Sequence, residues 1–279
     1  MLHTRQKIAL ARLCSLPIVR ARRALGLSAE VRVRRGGFRW RLDLEEGIDF
    51  SIWLLGGFER RVARAMRRLV RPGATVLDIG ANVGAHTLTL ARLAGPGGRV
   101  IAVEPTDWAF AKLTNNVALN PVLEPRIALR QAFLLGGDQD ALPPTVCSSW
   151  PLSASADVHP QLGGQPKATS AAQAASLDTL LAREGVDRVD FVKLDVDGYE
   201  GQVLRGAGRM LKKLRPTMLV ELAPYLLVER GESVDAVLRL LTEAGYALST
   251  LTSDAPLGAD DIRRLLAGAE ATNFVARAA

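Results

Sequence analysis

Four short apolar runs in this chain each end in a carboxylate. Thr75 to Leu77 leads into Asp78, Arg99 to Val103 into Glu104, Val189 to Leu194 into Asp195, and Thr217 to Val220 into Glu221. Asp78 opens the stretch Asp-Ile-Gly-Ala-Asn-Val-Gly, after which Leu88, Ala91 and Leu93 recur at helical spacing, so the segment reads as strand, tight turn and helix start. Gly80 and Gly84 would let a ligand approach the main chain of that turn with no Cβ in the way. The dinucleotide fingerprint needs a glycine where this chain has Asn82, which leaves little room for a pyrophosphate. A carboxylate at Asp78 suits an ammonium group, and one at Glu104 suits the two hydroxyls of a ribose. An amino acid joined to a nucleoside satisfies both, and S-adenosylmethionine is such a molecule.

A second group of charges follows the fourth run, in Lys193-Leu-Asp195-Val-Asp197-Gly-Tyr-Glu200. The carboxyl ends of parallel strands are where open α/β sheets bind ligands, so these residues and Glu221 belong on the same edge as the glycine turn. A sulfonium methyl is already electrophilic. What the protein must add is alignment of an acceptor oxygen, exclusion of water and removal of the acceptor proton. Asp195 is the expected centre, touching cofactor or acceptor, with Lys193, Glu200 and Glu221 orienting the hydroxyl and His86 as a reserve base. The acids could act directly or through a divalent cation such as Mg held by Asp195, Asp197 and Glu221.

The blocks VLDIGANVGAHTLTLARLAG, RVIAVEP with NNVALN after it, SLDTLL, FVKLDVDGYEGQVLRGA and RPTMLVEL occur in that order. Together they resemble the FkbM family of S-adenosylmethionine-dependent O-methyltransferases, over about residues 42–221. The resemblance implies a class I methyltransferase fold: an α/β, Rossmann-like, mainly parallel seven-stranded sheet with helices on both faces. It also implies methylation of a hydroxyl on a sugar, a glycan or a secondary metabolite such as a polyketide. By the same analogy Phe58 and Glu59 pack over the cofactor, and Gln131, Ala132 and Phe133 flank its adenine. Where the family more often has Glu, this chain has Asp197. A sugar or glycan hydroxyl is the leading acceptor, a polyketide hydroxyl the alternative. A nucleic-acid methyltransferase and an NAD-dependent oxidoreductase rank lower, the first because no base-methylating tetrad follows the fourth strand, the second because of Asn82.

The 279 residues suffice for one α/β domain with appendages, and a 48% hydrophobic, 23% charged composition is that of a folded globular protein. No apolar run approaches the roughly 18 residues needed to span a bilayer, and the N-terminus lacks the features of a secretory signal, so a cytoplasmic location is expected. Cys14 and Cys147 stand far apart, without metal-ligand spacing. The net charge of +7 is uneven: up to Pro72 there are 17 Lys and Arg against 6 Asp and Glu, and beyond it 19 against 23. Such a basic segment could attract a phosphorylated sugar, an anionic glycan, a nucleic acid or an anionic membrane surface, or be a solvated face. The expected partner is a small-molecule or glycan acceptor rather than nucleic acid, and homo-oligomerisation is compatible with the sequence.

The elements that must position these groups follow from periodicity. Residues 1–72 read as a basic extension: a helical stretch broken in two at Pro17, a β-hairpin around Gly36 and Gly37, and a helix over 58–70 with apolar Phe58, Val62, Met66 and Leu69. Residues 73–279 form the methyltransferase domain. It has helices over 107–119 and 200–213, and a final antiparallel pair of strands at 246–251 and 272–275. Within it, residues 134–175 shift to Gly, Pro, Ser and Ala and read as a long substrate-specificity loop, with Trp150 and His159 its most ligand-like side chains.

Overall fold

A computed structural model describes residues 4–138, 140–153, 158–267 and 269–279. The extension contributes helix α1 (Thr4–Ala24), the hairpin β1 (Glu30–Arg35) and β2 (Phe38–Asp43), α2 (Gly47–Leu55) and α3 (Arg60–Leu69). The core begins with β3 (Thr75–Ile79), α4 (Thr87–Ala94), β4 (Arg99–Val103), α5 (Asp107–Ala118), β5 (Ile127–Arg130) and β6 (Ala132–Leu134). After β7 (Thr145–Ser149), β8 (Gln165–Ala168) and β9 (Gln173–Ala175) it resumes with α6 (Leu177–Arg183), β10 (Phe191–Leu194), α7 (Glu200–Arg205) and β11 (Thr217–Leu222). The chain then runs through α8 (Pro224–Glu229), α9 (Val234–Glu243), β12 (Tyr246–Thr250), α10 (Ala259–Ala267) and β13 (Thr272–Ala278).

Seven strands form one sheet in the order β12-β13-β11-β10-β3-β4-β5, with β13 antiparallel to both its neighbours and the other pairs parallel. This is the class I methyltransferase arrangement. Because side chains alternate across a strand, Leu77 and Ile79 face one layer while Val76 faces the other. On the first face α6, α7, α9 and α10 bury Leu180, Leu204, Leu241 and Leu266; on the second, α3 and α4 bury Met66 and Leu90. The extension is therefore built into the core, since α3 shares a cluster with strands of the sheet.

The NNVALN stretch has a structural reason. Asn116 in the last turn of α5 and Asn120 just beyond its end lie side by side, and their side chains act as a substitute strand along β2. The Arg39 N–H donates to Asn120 Oδ1 at 3.0 Å, Asn120 Nδ2 donates to the Arg39 carbonyl at 2.8 Å, and the Arg41 N–H donates to Asn116 Oδ1 at 2.9 Å. These bonds blunt the free edge of the hairpin and fix it over α5.

Three expectations change. Helix α1 runs through Pro17 without breaking. Pro17 and Leu13 are both exposed, so the carbonyl that loses its partner faces water, while Val19 and Ser15, whose hydroxyl donates to the Leu44 carbonyl, anchor the buried side. The helix expected over 200–213 stops at Arg205, and Met210–Leu214 forms a π-helical turn; between them Gly206 lets the Leu135 carbonyl approach to where a Cβ would lie 2.2 Å away. The segment 134–175 carries structure: β7 and β8 form an antiparallel hairpin and β9 pairs in parallel with β6.

Asn120→Ala strands two backbone groups of β2 and should cost about 1–3 kcal/mol, read as a fall in thermal unfolding midpoint. An unchanged midpoint would show that the hairpin is held by its apolar contacts alone.

Candidate functional site

The carboxyl ends of β3, β4, β10 and β11 open into one cavity of about 1390 Å³, walled on other sides by α1, α3, β7 and the loop before β13. At that size it has room for a nucleoside cofactor and a sizeable acceptor together.

Its floor is an ion pair. Lys193, 3% exposed, donates to Asp195 Oδ2 at 2.9 Å and to the Gly80 carbonyl at 3.1 Å. Burial opposes the ammonium charge, but the carboxylates of Asp195 and Asp78 outweigh it and raise the Lys193 pKa. Burial likewise opposes the Asp195 charge; the Lys193 ammonium and a hydrogen bond from Glu221 outweigh it and hold Asp195 below the usual carboxylate range. The neighbouring acids go the other way. Asp197 is lifted well above that range by burial and then by the charges of Asp195 and Glu200, and Glu221 by burial and then by Asp195 and Glu59. Asp195 is thus the acid favoured to ionise beside Asp197 and Glu221, whose own charges are disfavoured, and its side chain is 23% exposed to the cavity.

The glycines of the turn serve the chain before they serve a ligand. A Cβ on Gly80, at φ +81°, would lie 1.8 Å from the Asp195 carbonyl oxygen, and one on Gly84 would lie 2.9 Å from Leu113. Gly80 lets β10 end against the turn and Gly84 lets α5 pack on it; Gly80 lines the cavity, and Gly84 does not. Asp78 is also behind the wall. It is fully buried, its Oδ2 accepts from the Thr87 hydroxyl at 2.6 Å, and its Oδ1 has no partner among the described residues.

Glu104 does face the cavity, 3% exposed. Its Oε2 accepts from the Asn82 N–H at 2.9 Å, and its Oε1 from the Thr106 N–H at 2.9 Å and the Thr106 hydroxyl at 2.6 Å. Of a carboxylate's roughly four acceptor positions, one is left, which fits one ribose hydroxyl rather than two. That spare position on a buried acid is the feature that fits a nucleoside. Asn82, at φ 48°, donates through Nδ2 to the Ser148 carbonyl at 2.9 Å, pinning the end of β7 across the turn. Ser148 and Cys147 consequently wall the pocket, as do Ala132 and Phe133. Phe58 and Glu59 also line it; Glu59 Oε2 lies 3.1 Å from His86 Nε2, and the Phe58 ring centre is 6.0 Å from that of His86. Glu59, Asn82 and Asp197 are three of the four non-glycine residues with positive φ among the described residues, and all three are at the cavity.

Several expected residues lie elsewhere. Gln131 turns its amide away to donate to Asp107 Oδ1 at 2.7 Å and does not line the cavity. Glu200, 2% exposed, accepts from the Val196 N–H at 3.1 Å and the Gly198 N–H at 3.4 Å, so it braces the Asp195–Gly198 turn from beneath. His159 accepts the Leu162 N–H at Nδ1, which puts its proton on Nε2 facing Glu229 at 2.9 Å, outside the cavity. Trp150 lines the cavity while its Nε1 donates to the Leu162 carbonyl at 2.7 Å. No group of three or more His, Cys, Asp and Glu side chains among the described residues is placed to hold a metal ion, so Asp195, Asp197 and Glu221 do not fit one. The sequence reading missed Ser148, Tyr199 and Tyr225 at the cavity. The alternation in Thr-Val-Cys-Ser-Ser was the available signal for the first.

Burial raises the Glu200 carboxyl from 4.5 to about 7, so the folded protein keeps a proton that the unfolded chain gives up. Its contribution to stability is full below pH 4.5 and is lost as pH rises through about 7. In Glu200→Gln the unfolding midpoint should vary less with pH over that window, the remaining slope belonging to the other acids that burial raises: Glu46, to about 7, and also Asp49, Glu104, Asp197 and Glu221. An unaltered slope would contradict the placement of Glu200.

Residues 78–248 match the Methyltransferase FkbM domain, and no curated protein matches the chain. Among solved structures the chain is similar to a protein described as an rRNA methylase from Clostridium thermocellum, at 14% identity and TM-score 0.46, covering 78% of this chain and 93% of that one. It is similar to methyltransferase FkbM from Methylobacillus flagellatus at 15% identity and TM-score 0.45, covering 77% of this chain and spanning 50% of that one. It is also similar to Aeropyrum pernix fibrillarin with bound S-adenosylmethionine, at 14% identity and TM-score 0.44, covering 89% of this chain and 82% of that one. No helix among the described residues is long and apolar enough to cross a membrane. With the family match spanning more than half of its length, the chain belongs to the FkbM family of S-adenosylmethionine-dependent methyltransferases.

Proposed function

We propose that the protein methylates a hydroxyl group of a sugar or glycan. The observation that carries this reading is the Asp195 carboxylate, paired with the buried Lys193 ammonium and opening onto a cavity large enough for two ligands. When bound, S-adenosylmethionine supplies a methyl group on a sulfonium, which leaves as a neutral thioether. The residues to hold it are Glu104 for the ribose, Asn82 and Ser148 over the turn, and Ala132 and Phe133 beside the base. Asp195 accepts the acceptor hydroxyl's hydrogen bond and takes its proton; Asp197, whose protonated form is favoured by burial and by the Asp195 charge, donates to a neighbouring sugar oxygen. Lys193 prevents Asp195 from being protonated beforehand. Trp150, Tyr199 and Tyr225 give the cavity aromatic walls of the kind that suit a sugar ring. No step runs through a metal.

A second arrangement is favoured by one contact. Glu59 holds the buried His86, which also lines the cavity, in the way a carboxylate orients a general-base imidazole.

The test is to supply methyl-labelled S-adenosylmethionine with carbohydrate, small-molecule and RNA fractions of the producing cells. Label should enter carbohydrate as a base-stable ether, and Asp195→Asn should lower the rate by about 10²–10⁴-fold while S-adenosylhomocysteine still binds. Label in RNA would overturn the acceptor class. Full turnover by Asp195→Asn with loss of turnover in His86→Gln would move the base to His86.

A further inference from the structure

Helix α3 is an unusual piece of protein. Its ten residues, RRVARAMRRL, contain no acid, and Arg60 and Arg61 occupy its first turn, where the positive end of the helix dipole disfavours cations. Arg60, Arg64 and Arg68 follow one another at four-residue spacing, so their like charges stack along one face, a pattern that costs stability in an isolated helix. Among the described residues, little offsets the charges of Arg60, Arg64 and Arg68. The residue before the helix, Glu59, gives its first turn no side-chain cap and points instead to His86. Asp254 reaches Arg68 only at 3.4 Å and bonds Arg277 more closely at 2.8 Å. Arg60 bonds the Leu55 carbonyl at 3.0 Å, and Arg64 has no partner among the described residues. Arg61 of the same helix and Glu270, which also lines the cavity, are each engaged in a contact.

This face is on the cavity. Arg60, Arg64 and Arg68 line it beside Val62 and Ala65, whose side chains root the helix in the core. The stripe begins one residue after Glu59, whose charge is felt by Lys193 and Glu221, and extends outward for about 12 Å at a helix's rise per residue. Cations are therefore displayed along the wall that leads away from Asp195. Arginine is the side chain that recognises phosphate oxygens in a fixed fork geometry, and a phosphate near the first turn of α3 would also complement the dipole.

We infer that Arg60, Arg64 and Arg68 form a phosphate-binding subsite, and that the methylated sugar is presented as a phosphate or diphosphate ester whose anionic group lies along α3 while its hydroxyl reaches Asp195. The inference rests on the proposed function for the position of the hydroxyl, and adds the chemical class of the acceptor. A soluble sugar nucleotide and a lipid-linked glycan both carry this group, and differ in what lies beyond it.

The experiment titrates the S-adenosylhomocysteine-loaded protein with inorganic pyrophosphate, with UDP-glucose and with vesicles containing farnesyl diphosphate, in low and high salt. Wild type should bind pyrophosphate, more weakly as salt rises. Arg64→Ala/Arg68→Ala should bind it at least about tenfold more weakly with S-adenosylhomocysteine affinity unchanged. Tighter binding of UDP-glucose than of pyrophosphate assigns the soluble source, and tighter binding of the vesicles the lipid-linked one. Absence of pyrophosphate binding, unchanged binding in the double variant, or preference for a short RNA over all three probes overturns the inference. Intact S-adenosylhomocysteine binding and carbohydrate labelling beside such a failure leave the proposed function standing; loss of either strikes that function itself.

Discussion

The Lys193 ammonium, sealed between the Gly80 carbonyl and the Asp195 carboxylate, is the interaction on which the site depends. It can exist only because β10 ends against the glycine turn, where the Asp195 carbonyl fills the space a side chain at position 80 would need. A buried pair of this kind carries a large desolvation cost, and breaking it by removing one partner is worse than never having made it. What the arrangement achieves is electrostatic sorting. Asp195 is favoured in its ionised form while its neighbours Asp197 and Glu221 are favoured with their protons, so acceptor and donor roles are divided among carboxylates of one cavity.

The walls around this centre come from parts of the chain far apart in sequence. Asn82 in the turn clamps Ser148 of β7, and the backbone of Gly47 in the extension donates to the Trp150 carbonyl at 2.8 Å. The inserted hairpin is thus stapled at one end to the methyltransferase core and at the other to the extension. Helix α3 closes a further side through apolar contacts with the core, leaving its arginines to the cavity. An enclosed site helps any methyl transfer, since water competes with the acceptor and low polarity strengthens each charge that remains.

Much of this was legible in the residues, and the failures have physical causes. The strands ending in Asp78, Glu104, Asp195 and Glu221 could be read because parallel strands buried on both faces are continuous apolar runs, and acids at their ends stand out. The same reading misjudged depth. Asp78 and Glu200 are acids at the right places in the sequence, but each satisfies a local donor beneath the surface: the Thr87 hydroxyl for one, the Val196 and Gly198 amides for the other. Gln131 was displaced by its bond to Asp107, a tertiary contact no spacing announces. In the insertion, small residues hid short strands whose pairing is set by the core: β9 is a strand because β6 lies beside it. The basic face of α3 was visible as charge, though only its packing shows that it looks into the cavity.

On the proposed function, the pocket between the glycine turn, Glu104 and β7 receives the nucleoside of the methyl donor, with its reacting end at Asp195. A crystal structure of the protein with S-adenosylhomocysteine tests this most directly. The account predicts one ribose hydroxyl on Glu104, Ser148 against the nucleoside, and the thioether sulfur facing the cavity beside Asp195. A nucleoside bound away from Glu104, or a sulfur turned from Asp195, would contradict it.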